Sequence, residues 1–261
     1  MLPGNALIPI HDENPTERFS YLTVALIVLN VAAFFLLTPN LGFERRCFDQ
    51  ECFVEQCSLQ QFFYRWGVVP DEVSEGEQLT GDLGGGCRLQ QKSVLLSLVT
   101  SMFLHGGLLH LGGNMLFLWV FGNNIEDRLG RFRYIVFYLA TGMAGSLAHI
   151  AVNPGSQIPT IGASGAISGL LGAYIVLFPH ARVHSVVPIP ILFFLIGRIR
   201  LPAYVVLGIW FVSQFFIGGG QQPEGGGVAW VAHVGGFVAG MVMIFVLGGW
   251  RKRPRTTFSP L

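Results

Sequence analysis

The chain has 261 residues, of which 51% are hydrophobic and 12% charged, and its mean hydropathy is +0.54. This composition is too apolar for an ordinary soluble domain and predicts an integral membrane protein. The formal net charge is +1, and the few basic residues are spread along the chain, which excludes a nucleic-acid partner.

Six apolar runs are long enough to cross a hydrocarbon core of about 30 Å. They lie at 21–37, 104–123, 134–152, 161–178, 201–217 and 228–250. A further apolar segment at 183–200 is interrupted by Pro188 and Pro190, so we expect it to lie in the membrane interface rather than to span. The predicted fold is an all-α membrane protein with one six-helix domain at 21–250, a cytoplasmic segment at 1–20 and a basic cytoplasmic tail at 251–261.

Lysine and arginine set the expected orientation. Six spans with the amino terminus inside place Arg18, two clusters of basic residues and the basic tail in the cytoplasm, whereas a seventh span would put that tail outside. The amino terminus lacks a basic segment and a small-residue cleavage site before its first apolar run, so we expect that run to be kept as an anchor.

With this orientation, residues 38–103 form a long extracytoplasmic first loop that contains all four cysteines: Cys47, Cys52, Cys57 and Cys87. An even number of cysteines in an outward loop fits one or two disulfides in an oxidising compartment. The three possible pairings stay open. A metal site and free thiols are the alternatives, but no paired Cys-x-x-Cys spacing supports a metal.

A serine and a histidine stand out in the apolar runs. Ser164 opens the fourth run beside a stripe of glycines at Gly165, Gly169 and Gly172, and His233 in the sixth run is followed by Gly236 and Gly240. Small-residue faces let two helices pack closely, which would bring the imidazole to the hydroxyl. A serine becomes a nucleophile when a neighbouring base accepts its proton. Taken alone, each residue is also explained by ordinary helix packing or an interhelical hydrogen bond.

Donors for an oxyanion can come from the second run. His110 and Asn114 are spaced i, i+4 and share one helix face, and the Ser164 backbone N–H lies at a helix start. Bracing between helices is the alternative role for this pair. The apolar runs after the first contain no Asp or Glu except at their cytoplasmic flanks, so we expect a Ser–His dyad rather than a triad. No His-Glu-x-x-His sequence is present to hold zinc.

These motifs resemble those of the rhomboid family of intramembrane serine proteases. The similar stretches are His105-Gly-Gly-Leu-Leu-His-Leu-Gly-Gly-Asn114, Glu126-Asp-Arg-Leu-Gly130, Gly162-Ala-Ser-Gly165 and Ala232-His-Val-Gly-Gly-Phe-Val-Ala-Gly240. The resemblance implies a six-helix core, cleavage of membrane-anchored substrates near the outer face, a first loop partly embedded in the outer leaflet, and no metal or cofactor.

The resemblance also implies site roles. Ser164 is expected to be the nucleophile and His233 the base, with His110, Asn114, Gly162 and the Ser164 amide at the oxyanion site. Some members place an aromatic residue four positions after the serine to stack on the histidine, whereas this chain has Ser168 there.

We therefore expect an intramembrane serine endopeptidase in the cell membrane, multi-pass, with its site open to the extracytoplasmic side. Its expected partners are transmembrane protein substrates and membrane lipids. The alternative is a catalytically inactive rhomboid-like adaptor that binds transmembrane helices. A transporter or channel is disfavoured because no ionisable residues line a path through the spans. The glycine-rich loop at 218–227 is either a mobile lid or a slack connector.

Overall fold

The computed structural model describes residues 7–42, 50–84, 86–187, 197–219 and 228–251. Over these ranges the chain is mostly helical, as its apolar runs predict. Each predicted run overlaps one long helix; these are α1 Tyr21–Leu37, α5 Leu108–Leu129, α6 Arg131–Val152, α7 Ser164–Leu177, α8 Ala203–Gly219 and α9 Trp230–Val246.

The helices differ in how far they meet the requirements for a membrane span. Of the helices that the structure describes, only α6 is long and apolar enough on its own. The segment Val94–Phe103 and α5 meet the same requirement when taken together, across a bend of 81°. The helices α1, α7, α8 and α9 are apolar but shorter.

The second helix is displaced from its predicted position. The run at 104–123 predicts a helix from Leu104, but α5 begins at Leu108 and continues to Leu129. Gly106 and Gly107 precede the first turn, and glycine is a poor helix former, which accounts for the late start. At the other end, the carboxylate of Glu126 accepts hydrogen bonds from the backbone N–H groups of Leu22 at 3.0 Å and Thr23 at 2.7 Å. Leu22 and Thr23 belong to the first turn of α1, where a negative charge is favourable. Glu126 therefore keeps the last turn of α5 packed against the start of α1.

The prediction of an all-α protein is wrong in one respect, because a small antiparallel sheet is present. Its strands are β1 Ile8–Asp12, β2 Arg182–Val187 and β3 Gly197–Pro202, in the order β1-β2-β3. Along β2 the buried residues Val183 and Ser185 alternate with more exposed ones, which is the period of a strand with one covered face. The predicted interfacial segment at 183–200 thus supplies most of β2 and most of β3, and its residues 188–196 lie outside the described ranges.

The sheet covers one end of the helical bundle. The carboxylate of Asp12 on β1 accepts hydrogen bonds from the Tyr174 hydroxyl at 2.6 Å and from the Asn124 amide at 2.8 Å. Burial raises the pKa of Asp12 above its ordinary value. Tyr174 lies ten residues after Ser164, or about 15 Å along a helix. The sheet and Ser164 are therefore at opposite ends of α7.

The helix α7 is the centre of the bundle. All of its residues from Gly165 to Tyr174 are buried, and it packs against α5, α6 and α9. At two glycines of α9 the backbones of α7 and α9 are in direct contact: a Cβ at Gly236 or Gly240 would collide with the carbonyl oxygen of Gly165 or Gly169, respectively. The prediction that these glycine faces press together is confirmed.

The predicted first loop is folded over much of its length. It contains α2 Gln50–Trp66, α3 Pro70–Glu75 and α4 Val94–Thr100. Cys57 on α2 and Cys87 form a disulfide with 5.6 Å between their Cα atoms. Cys52 is also disulfide-bonded, and Cys47 lies outside the described residues.

A buried ion pair joins two parts of this loop. The ammonium of Lys92 contacts the carboxylate of Glu72, and their side chains are only 3% and 4% exposed. The same ammonium donates to the carbonyl oxygens of Tyr64 at 2.7 Å and Gly67 at 3.1 Å. Burial lowers the pKa of Lys92. Both charges are out of water, so each depends on the other for its stability.

Candidate active site

Ser164 is the first residue of α7, and the turn before it determines where its hydroxyl points. Gly162 has φ of +124°, which side-chain-bearing residues rarely adopt, and its N–H donates to the carbonyl oxygen of Ser101 at 2.9 Å. At a helix start the first backbone N–H groups have no intrahelical acceptor. The half-buried Ser164 therefore carries its hydroxyl next to donors that an anion can use.

His233 lies on α9 and meets this hydroxyl directly. Its Nε2 is 2.8 Å from the Ser164 Oγ, which is hydrogen-bond distance. Gly236 and Gly240 allow α9 to approach α7 closely enough for this contact. The two residues singled out as nucleophile and base are thus adjacent in the structure.

The other ring nitrogen of His233 has a partner that was not predicted from the sequence. Its Nδ1 is 2.7 Å from the amide oxygen Oε1 of Gln214, a buried residue of α8. The ring of Trp210, one turn earlier on α8, lies beside the imidazole with 6.0 Å between centroids and a tilt of 37°. An amide in an otherwise apolar run was the available signal for Gln214.

Ser168 does not perform the orienting task of the aromatic residue that it replaces. Its hydroxyl donates to the backbone carbonyl of Ser164 at 2.6 Å, one turn back along α7, and its side chain is fully buried. Contact with the His233 ring comes from α8 instead.

His110 faces the same point as Ser164. A Cβ built on Gly162 would lie 2.8 Å from the His110 Nε2 and 3.6 Å from the Ser164 Oγ. The Gly106 N–H donates to the His110 Nδ1 at 3.4 Å, which leaves the ring proton on Nε2. The space over Gly162 is therefore next to an N–H donor and a hydroxyl.

Asn114 is placed less directly. Its amide donates to the His110 backbone carbonyl at 2.9 Å, one turn back on α5, and the residue is largely buried. This contact braces the turn that carries His110. The role of Asn114 as a direct oxyanion donor stays a prediction.

Two other sequence-based predictions concern the surroundings of the site. Within the described ranges, no group of three or more His, Cys, Asp or Glu side chains is arranged to hold a metal ion. In the glycine-rich loop at 218–227, Gly218 and Gly219 end α8, and residues 220–227 lie outside the part of the chain that the structure describes.

The described helices thus place a serine hydroxyl, an imidazole and a helix start together at one end of an apolar bundle. Comparison with known proteins gives the class: a Rhomboid domain matches residues 92–250. The chain belongs to the rhomboid family, whose members are integral membrane proteins and include proteases.

Individual relatives share parts of this region. The chain is 32% identical over 160 residues to Rhomboid protein 1, mitochondrial, of Saccharomyces cerevisiae. This match covers 59% of the chain and 41% of that protein. It is 45% identical over 76 residues to Rhomboid protease GluP of Bacillus subtilis, covering 29% and 14%. It is 34% identical over 102 residues to Putative rhomboid protease YdcA of Bacillus subtilis, covering 37% and 51%. The chain spans less than half the length of the first two of these relatives.

Proposed function

We propose that the protein is an intramembrane serine endopeptidase that cleaves single-span membrane proteins near the outer membrane face. The observation that carries this proposal is the 2.8 Å contact between the Ser164 Oγ and the His233 Nε2. A serine and a histidine at this distance have the geometry of a nucleophile and its general base.

In the first half of the reaction, His233 Nε2 accepts the Ser164 proton while the Oγ attacks the scissile carbonyl carbon. The resulting oxyanion lies over Gly162, where the Ser164 backbone N–H and the His110 Nε2–H can donate to it. Losing one such donor typically costs about 10²–10³-fold in rate. The tetrahedral intermediate collapses when the protonated His233 gives its proton to the leaving amine, which leaves an acyl ester on Ser164.

In the second half, water replaces the amine. His233 takes a proton from the water, the hydroxide adds to the ester carbonyl, and the proton returns to the Ser164 Oγ as the acid product leaves. This step needs water at the site, which a lipid-covered dyad would lack. The half-buried state of Ser164, His233 and His110 supports a polar opening at this end of the bundle.

The proposed topology has six spans with both termini in the cytoplasm, in the cell membrane. The distribution of arginine and lysine supports this orientation. Ser164, His233 and His110 all lie near the starts of their helices, at the end of α7 that is distant from the sheet. In this topology that end faces the extracytoplasmic side, together with the disulfide-bonded first loop.

The proposed substrates are membrane proteins whose single helix unwinds near its outer end. Backbone carbonyls within a helix are engaged in hydrogen bonds, and in lipid they stay so because no water competes. A protease must reach an extended backbone, so cleavage is expected where helix-breaking residues lie close to the membrane surface.

The experiment is a cleavage assay with purified protein and a single-span substrate in detergent or in vesicles. The variants are Ser164→Ala and His233→Ala, and the matched controls are Ser74→Ala and His180→Ala, which alter exposed residues away from the site. Cleavage by the wild type and both controls, with loss in both site variants, is expected. Equal cleavage by all five proteins would reject the assigned dyad. Retention of the substrate without cleavage by the wild type would favour the rhomboid-like adaptor.

A further inference from the structure

Gln214 forms a hydrogen bond with Nδ1 of His233, the ring nitrogen that does not take part in the proposed reaction. The Gln214 Oε1 is 2.7 Å from Nδ1, on the side of the imidazole away from Ser164. Gln214 is only 3% exposed, so bulk water does not compete for this contact. A hydrogen bond that is shielded from water in this way is stronger than one in water.

The orientation of the Gln214 amide is fixed by its other contacts. Its Nε2 donates to the carbonyl oxygen of Trp210 at 3.0 Å and lies 3.3 Å from the Ser213 Oγ. A carbonyl oxygen accepts only, so the amide nitrogen must face it and the amide oxygen must face the histidine. The oxygen is itself only an acceptor, and the proton of a neutral His233 ring must therefore be on Nδ1.

We propose that Gln214 is a positioning residue that fixes the His233 tautomer, a role that an acid has in a catalytic triad. With the proton on Nδ1, the lone pair of Nε2 faces the Ser164 hydroxyl, which is the state that a general base needs. Trp210 completes the arrangement, because its ring flanks the imidazole and its carbonyl orients the amide. The proposal rests on the proposed function for its kinetic consequence, but the tautomer is a property of the folded protein.

A purely structural Gln214 would provide a hydrogen-bond partner for the half-buried His233 without affecting which nitrogen is the base. A spectroscopic measurement of the His233 protonation site distinguishes the positioning role from the structural one. In protein labelled with ¹⁵N-histidine, the ring nitrogens of His233, assigned by comparison with His233→Asn, report directly which nitrogen is protonated. This measurement does not depend on any substrate.

The expected wild-type spectrum has a protonated Nδ1 and an unprotonated Nε2. In Gln214→Leu the Nδ1 acceptor is lost, and the proton is expected to move at least in part to Nε2. Gln214→Glu keeps an acceptor at the same place and is expected to keep the wild-type tautomer, whereas Gln60→Leu, the same change at an exposed site, should alter nothing. A wild-type spectrum with the proton on Nε2, or an unchanged tautomer in Gln214→Leu, would overturn the proposal. If Gln214→Leu does not fold, the wild-type spectrum still tests the proposal, because a proton on Nε2 would overturn it.

Kinetics give the second measurement. Gln214→Leu should lower kcat by roughly 10²-fold, which is at the low end of what a positioned base contributes. KM should stay within about twofold, because Gln214 lies behind the imidazole, on its Nδ1 side. Gln214→Glu should recover most of kcat. A wild type that cleaves no substrate but shows the Nδ1–H tautomer would refute the proposed function alone, since the tautomer would still support the positioning role.

Discussion

Gly240 on α9 lies directly against the carbonyl oxygen of Gly169 on α7, with no room between them for a Cβ. Gly236 makes the same contact with Gly165 one turn closer to the site. Since Gly236 is three residues after His233, these contacts set both the separation of the two helices and the height of the imidazole beside Ser164. The 2.8 Å distance between the Ser164 Oγ and the His233 Nε2 is thus a result of backbone packing.

Replacing Gly240 by alanine should separate α7 from α9. Overpacking of this kind typically costs about 1–3 kcal/mol of unfolding free energy. Thermal unfolding in detergent should show a lower midpoint, and the cleavage rate should fall because His233 moves away from Ser164. The matched control is Gly208→Ala, since a Cβ at that helical position meets nothing within 4 Å. An unchanged midpoint and rate in Gly240→Ala would show that the helices are not packed by backbone contact.

Gly162→Ala should reduce turnover without weakening substrate binding. The new Cβ would lie 2.8 Å from the His110 Nε2 and would occupy the proposed oxyanion position, and φ of +124° is strained for alanine. The loss of one donor predicts a fall in kcat of roughly 10²-fold or more with KM nearly constant. Gly155→Ala in the same connection is the control, because its Cβ meets nothing within 4 Å. A rise in KM with normal kcat would instead assign the space over Gly162 to substrate binding.

Lys92→Met alone should destabilise the first loop more than the removal of both charges of the Lys92–Glu72 pair. The single change leaves the Glu72 carboxylate buried without its cation, and breaking a buried pair in this way costs about 3–5 kcal/mol. The double variant Lys92→Met with Glu72→Leu removes both charges and should recover most of that loss. A double-mutant cycle of unfolding free energies measures this coupling. Additive effects of the two single changes would contradict the prediction.

The sequence predicts the helices and the proximity of Ser164 and His233 because both depend on short-range patterns. Apolar runs place the long helices to within a few residues, apart from α5. The glycines after Ser164 and His233 report a close helix contact, because only small residues permit it. Once that contact is inferred, the hydroxyl and the imidazole must be near each other.

Other features depend on partners that are distant in the chain, and the sequence analysis did not find them. The sheet pairs Ile8 of β1 with Val186 of β2, which are far apart in the chain. Both strands are short, and their sequences do not distinguish them from interfacial segments. Gln214 becomes informative only when α8 is placed next to His233. The pairing of Lys92 with Glu72 depends in the same way on how the first loop folds.

The most direct test of the account is covalent labelling with a fluorophosphonate, which reacts with a serine hydroxyl only when a base activates it. Mass spectrometry of the digested protein locates the labelled residue, and no substrate needs to be known. We expect that the wild type is labelled at Ser164, that Ser164→Ala is not labelled, and that His233→Ala is labelled at least about 10²-fold more slowly. Labelling at another serine, or equal labelling of the wild type and His233→Ala, would contradict the assignment of Ser164 and His233 as nucleophile and base.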